Sequence, residues 1–310
     1  MSPKPLVAKP GAERRGFVPD RIVSFPVKEK CDSILDYLMM VLSDVKRTGV
    51  KELLKHNQVM VNGNIARKAD MPVEAGDDVQ VNFTREFQIF SHPRLKIEYE
   101  DDDIIVVYKG YGLLSVATDN KNKSKETAYS ILRDYLKRKD PRNKLFIVHR
   151  LDQQTSGLMM FAKNQQAKET MQHNWNNMVI SRTYVAVVEG RLDQQEGTIQ
   201  SYLAENSAHE VYSTKRPEEG KLAVTRYKVL DERPAFSLVE LSLDTGRKNQ
   251  IRVHMKDLGH PISGDKRYGA KTSPIHRMAL HARTLRFVHP VTRKDMNFTS
   301  SIPASFSKLR

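Results

Sequence analysis

The carboxylate of Asp152 stands in the string His149-Arg150-Leu151-Asp152-Gln153-Gln154-Thr155-Ser156-Gly157, between the apolar runs 145–148 and 158–162. Short apolar runs of this kind read as buried strands. Asp152 is therefore predicted to sit in a loop held between two core strands and open to a cleft. A nearby cation favours the ionised form of an acid, and Arg150 lies two residues before it. A fixed, ionised carboxylate can act as a nucleophile or as a general base. The same pattern also suits an aspartate that accepts from turn amides beside a surface arginine, and the residues alone leave both readings open. Ser156 follows in Thr-Ser-Gly, but the Gly-x-Ser-x-Gly turn that lifts a hydrolase nucleophile above its sheet is missing. Judged by residue type alone, Tyr184 is a strand residue packed in the core. Arg252 is a basic residue on a helix that faces solvent or phosphate.

The elements that must position these groups alternate irregularly. Strands are expected at 104–108, on either side of Asp152, and at 183–188, 222–230, 236–243 and 280–288. Helices are expected at 126–138, 165–178 and 251–258. That order favours an α+β domain with a mixed or antiparallel sheet. Ahead of it, Ile34, Leu35, Leu38, Met39 and Leu42 recur at helical spacing, with Asp32 or Ser33 as N-cap. A second helix over 48–56 turns Val50, Leu53 and Leu54 inward, and Arg47, Lys51 and Lys55, four residues apart, form a basic stripe outside. Val61-Asn62-Gly63-Asn64 marks a hairpin, and Gly76-Asp77 precedes a further strand. The expected organisation is a flexible basic tail (1–22), a small α+β domain (23–84), a linker (85–95) and a catalytic domain (96–310).

Composition narrows the partners. The chain has 310 residues, 51 Lys and Arg against 37 Asp and Glu, and a net charge of +14. Such a surplus attracts phosphate backbones. With the single cysteine Cys31, neither an intrachain disulfide nor a cysteine-rich zinc site can form. The histidine pairs are not spaced as metal ligands, so no metal is expected. No apolar run approaches the ~20 residues that span a bilayer, and no signal-peptide core opens the chain. A soluble, cytoplasmic monomer is expected, with no membrane association.

The string around Asp152 resembles the catalytic-aspartate motif of the RluA-type pseudouridine synthases, which isomerise uridine within structured RNA. Thr245-Gly246-Arg247-Lys248-Asn249-Gln250-Ile251-Arg252-Val253-His254 resembles that family's third motif. The likeness spans roughly residues 96–310. It implies that Asp152 is the essential carboxylate and that Arg252 pairs with it. It implies that Tyr184 supports the uracil ring and can take the proton from the ring carbon. Arg150 is then expected in the same cleft, filling the place of a flipped base or holding a phosphate. No electrons are lost and no group leaves the nucleotide, so no cofactor is implied. Asn249 stands where the family usually has His, and Lys109-Gly110-Tyr111-Gly112 replaces its Lys-Pro-x-Gly. The strings 259–265 and 280–282 match the family as well and are read as structural. Residues 25–83 resemble the small RNA-binding domain named after ribosomal protein S-four, with His56-Asn57 where that domain usually has a helix-ending Gly. Arg47, Lys51 and Lys55 are its expected RNA contacts. That pairing of domains implies large-subunit ribosomal RNA as substrate. Transfer RNA and a non-catalytic RNA-binding or ribosome-assembly role are the alternatives.

Overall fold

A computed structural model of the chain describes residues 21–87, 90–117 and 126–309. The expected tail therefore lies outside the described residues except at its end, where Ile22 already begins a strand. The described residues divide into two compact units, the first made of those before residue 90 together with Lys137–Arg142, the second of the remainder.

In the first unit, β1 (Ile22–Pro26) precedes α1 (Ile34–Val41) and α2 (Arg47–Lys55), then β2 (Val59–Val61), β3 (Asn64–Ile65) and β4 (Asp78–Asn82). The strands form one antiparallel sheet in the order β1-β4-β2-β3. Ser33, rather than Asp32, caps α1, its hydroxyl accepting from the Asp36 amide at 3.2 Å. Asn57 takes a left-handed φ of 53° after α2, the conformation a terminating glycine would supply. Asn62 and Gly63 both have positive φ, as a tight hairpin turn with the twist of its strands requires. Ile34, Leu38, Val50, Val59 and Val79 are wholly buried beneath these elements. The basic stripe is exposed but partly engaged, because Arg47 meets Asp36 at 3.3 Å and Lys55 meets Glu52 at 3.4 Å.

The second unit is built on one large sheet. Its elements in chain order are β5 (Leu95–Glu100), β6 (Ile104–Lys109), α3 (Ala128–Lys139, whose end from Lys137 counts with the first unit), β7 (Phe146–Ile147), β8 (Ser156–Ala162), α4 (Gln165–His173) and α5 (Trp175–Met178). There follow β9 (Val179–Glu189), β10 (Glu196–Glu205), β11 (Val211–Thr214), β12 (Lys221–Glu232), β13 (Phe236–Leu243), α6 (Gln250–Asp257), β14 (Leu280–Val288) and β15 (Asp295–Thr299). The strand order is β11-β10-β12-β13-β9-β14-β8-β6-β5, with β15 on β14 and β7 on β8. Every pairing is antiparallel except β8 with β14, so the sheet is mixed, as the sequence predicts. The single helix expected over 165–178 is two, because Asn174 turns its side chain back to the Thr170 carbonyl and separates α4 from α5. Strand β5 begins at Leu95, the last residue of the expected linker.

Asp101, Asp103 and His289 lie close enough together to resemble a metal-ligand group. The side chains of His289 and Asp101 are engaged by the scaffold. The amides of Val291 and Thr292 donate to His289 Nδ1, so Nε2 carries the proton and donates to Asp101 Oδ2 at 2.9 Å. The other Asp101 oxygen accepts from the amides of Asp103 and Ile104. The cluster ties the β5–β6 turn to the β14–β15 turn.

Candidate active site

Asp152 lies in the loop between β7 and β8, and both of its neighbours are clamped. Ser115 donates its hydroxyl hydrogen to the Leu151 carbonyl at 2.7 Å and accepts from the Leu151 amide at 3.2 Å. On the other side, the Gln153 carbonyl accepts from the Gly112 amide at 2.9 Å and from Lys109 Nζ at 3.3 Å. Lys109 is fully buried and also donates to the carbonyls of Leu113 and Gly110. Burial pushes its ammonium pKa down to about 7, with the Asp152 charge opposing and Arg277 and Arg94 adding to the shift. The Asp152 carbonyl accepts from the Thr155 amide at 3.1 Å, closing the turn that leads into β8.

The entry into β8 depends on Gly157. It has φ of +118°, and a Cβ built there would lie 2.1 Å from the Ala282 carbonyl oxygen. Only a residue without a side chain lets β8 run this close beside β14. Ser156 and His281, partners across the same parallel pair, are joined by a 2.9 Å hydrogen bond. Burial pushes the imidazoles of His281 and His149 down, to about 4 and about 3. Both are thus neutral framework groups. His149 Nε2 accepts from the Met160 amide.

Arg252 projects from the first turn of α6. Its side chain is 9% exposed, and Nε and Nη2 donate to both oxygens of Asp265 at 2.7 and 2.8 Å. Its Nη1 is shared between Asn249 Oδ1 at 3.1 Å and Asp152 Oδ2 at 3.5 Å. The guanidinium also lies 4.7 Å over the Tyr268 ring, whose hydroxyl accepts from Asn249 Nδ2. Asn249 holds this position in a left-handed conformation, with φ of 54°. Burial opposes the Arg252 charge, but the Asp265 carboxylate outweighs it and holds the pKa above the ordinary arginine value. The expected partner Asp152 is thus the weaker of two carboxylates. Asp265, read from the sequence as structural, is the main counterion.

Arg150, Asp152, Tyr184 and Arg252 line one cavity of about 800 Å³. Tyr184, on β9 opposite Ala282 of β14, is 9% exposed. Burial raises its hydroxyl pKa, an effect that Arg182 opposes and Asp152 reinforces. Leu151, Ile251 and Leu280 add apolar wall, while Arg247, Lys248 and Arg267 add charge. Among the described residues Asp152 is the only acid on the wall. One of its two oxygens has no hydrogen-bond partner among the described residues, and its side chain is 31% exposed. The arrangement presents a single carboxylate beside an aromatic face, in a basic cleft sized for a nucleotide. Arg47, Lys51 and Lys55 belong to the first unit and do not line this cavity.

The model of the RNA pseudouridylate synthase family matches residues 103–257. A Bacillus subtilis protein described as an uncharacterized RNA pseudouridine synthase, YlyB, is 36% identical over 91% of this chain and 94% of its own length. Ribosomal large subunit pseudouridine synthase D of Escherichia coli O6:H1 is 31% identical over 88% of this chain and 87% of its own. Among solved structures, human RNA pseudouridylate synthase domain containing 1 superposes with a TM-score of 0.55 at 28% identity, covering 69% of this chain and 86% of that one.

Proposed function

The chain belongs to the RNA pseudouridylate synthase family and is an RNA pseudouridine synthase, and we propose that Asp152 drives its reaction on uridines of large-subunit ribosomal RNA. The observation that carries this reading is the lone carboxylate, clamped on both sides and faced by Arg252, in an otherwise basic cavity. A stacked base would keep its reacting atoms out of reach, so the nucleotide is flipped into the cavity. In the isomerisation the bond from ring nitrogen N1 to ribose C1′ breaks and one from ring carbon C5 to C1′ forms. The proton on C5 leaves and N1 gains one, so atoms and electrons balance. Asp152 attacks the sugar or removes a sugar proton. Tyr184 supports the ring and takes the C5 proton as it gives up its own hydroxyl proton, Arg252 faces the carboxylate, and Arg150 occupies the gap left by the base or holds a phosphate.

The large-subunit target draws support from the named activity of the E. coli relative. The test is to map pseudouridines in ribosomal and transfer RNA from a strain lacking the gene and from the same strain complemented. Sites lost only from large-subunit RNA are expected. Losses confined to transfer RNA would overturn the target.

The first unit serves, in this reading, as an S-four-type RNA-binding domain that delivers the substrate, with Lys51 and the partly paired Arg47 and Lys55 meeting phosphates. Each lost contact should flatten the log–log salt dependence of RNA binding by about 0.7 to 0.9. Changing all three to Gln should therefore weaken binding most at low salt. Thermal stability should hardly move, because exposed pairs such as Arg47–Asp36 contribute about 0–1 kcal/mol. Parallel salt plots for variant and wild type would show that this face does not meet RNA.

A further inference from the structure

A second cavity, of about 610 Å³, adjoins the first and shares Arg150, Asp152, Lys248 and Arg252 with it. Its further wall differs in kind. Where the first cavity has Tyr184, Ile251 and Leu280, the second has Tyr111, Lys266, His276 and Arg277. Asp152 is again the only acid among the described lining residues, and Arg252 already faces it.

Arg277 is the unusual member. Its guanidinium is seated against two rings, 4.6 Å from the Tyr111 centroid and 5.4 Å from that of Phe306. Nε donates to the Met278 carbonyl at 3.1 Å and Nη2 to Ser156 Oγ at 2.8 Å and the Leu280 carbonyl. All these acceptors are neutral, and Nη1 has no partner among the described residues. Burial accordingly pulls the Arg277 pKa down, with only the two tyrosines Tyr108 and Tyr111 opposing. A cation withdrawn from water without a counterion is costly, and an anion that enters the site repays that cost. Lys266, exposed on the same wall, likewise has no carboxylate within ion-pair distance among the described residues.

We propose that this second cavity is a phosphate subsite, in which Arg277 and Lys266 hold a phosphodiester of the nucleotide next to the target uridine. The proposal rests on the reading that the first cavity takes a uridine of RNA. A nucleotide held against Tyr184 and Leu280 carries its chain out past Arg150 into the adjoining cavity, where Arg277 and Lys266 have no carboxylate partner among the described residues. The wall of Tyr184, Ile251 and Leu280 receives the base and that of Arg277 and Lys266 its backbone. Arg277 then also connects the two sites physically, because Ser156, to which it donates, begins the strand that follows the Asp152 loop.

The test measures binding of the full chain to a short, uridine-containing single-stranded RNA oligonucleotide across a range of salt. Arg277→Gln and Lys266→Gln should each flatten the log–log slope by about 0.7, the value for one lost contact on a single strand. Lys266→Gln keeps the experiment decisive if the variant at the half-buried Arg277 does not fold. Lys228→Gln is the control, since it removes an exposed charge on β12 that lines neither cavity, and its slope should match wild type. Slopes parallel to wild type for Lys266→Gln, or an equal flattening in the control, would overturn the subsite. Failure here is distinct from failure of the proposed chemistry. A misplaced subsite leaves the slopes parallel while Asp152→Asn is still inactive, whereas a misplaced catalytic residue leaves Asp152→Asn active whatever the slopes do.

Discussion

Arg252→Ala should abolish turnover and cost about 3–5 kcal/mol of stability, the penalty for breaking a buried ion pair by removing one partner. The penalty falls on Asp265, whose side chain is 1% exposed and whose two oxygens both accept from Arg252. Turnover fails for a separate reason, because Asp152 loses the N–H that faces it at 3.5 Å. The two consequences can be separated. In Arg252→Met with Asp265→Leu no buried charge is left alone, so urea denaturation should show most of the stability regained. Turnover should stay absent, since among the described residues no hydrogen-bond donor then reaches the Asp152 carboxylate. Arg252→Lys should rescue only part of the activity, because one ammonium cannot hold Asp265 with two N–H groups and reach Asp152 with a third. Activity restored along with stability in the double variant would show that Arg252 acts only through the fold.

Gly157→Ala is expected to be nearly as damaging although it adds one methyl group. The added Cβ would lie 2.1 Å from the Ala282 oxygen and 2.7 Å from the Ala282 nitrogen and carbonyl carbon. These are backbone atoms of the central strand β14 and cannot swing aside. Backbone strain at φ of +118° adds to the clash. Together they should cost at least about 2 kcal/mol, from overpacking and strain of about 1–3 kcal/mol each. The β8–β14 contact must open to relieve the clash, which shifts the loop end that carries Asp152. The folded fraction should therefore show a reduced kcat as well as a lowered Tm. A variant with the wild-type Tm would contradict this account of the parallel pair.

Much of this site is legible in the chain itself. Asp152 is bracketed by short apolar runs that read as strands, and the structure places it between β7 and β8. Ser33, Asn57 and the Asn62-Gly63 turn act through local backbone geometry, which neighbouring residue types disclose. What the sequence conceals is long-range. Ser115 binds Leu151 across 36 positions, and Lys109 binds Gln153 across 44. A lysine ordinarily reads as an exposed cation, so its complete burial under a loop has no local signal. Asp265 appears in a string read as structural, and only the fold reveals that it claims most of Arg252. Strand β10 escapes detection because most of its residues remain partly or fully exposed, leaving little apolar alternation to read. The division of α4 from α5 turns on one asparagine side chain, which competes with the helix in a way that hydrophobic spacing does not register.

The central claim is that one carboxylate, Asp152, performs the chemistry. Asp152→Asn keeps the shape of the side chain and removes its charge, and among the described residues the carboxylate's only hydrogen-bond partner is Arg252 at 3.5 Å. The measurement is release of tritium from ring carbon C5 of uridine in ribosomal RNA labelled in a strain lacking the gene. Wild-type protein should release tritium as pseudouridine forms. The Asp152→Asn protein should release none, while melting at the wild-type temperature and binding the same RNA. Tritium release by that variant at the wild-type rate would contradict the account.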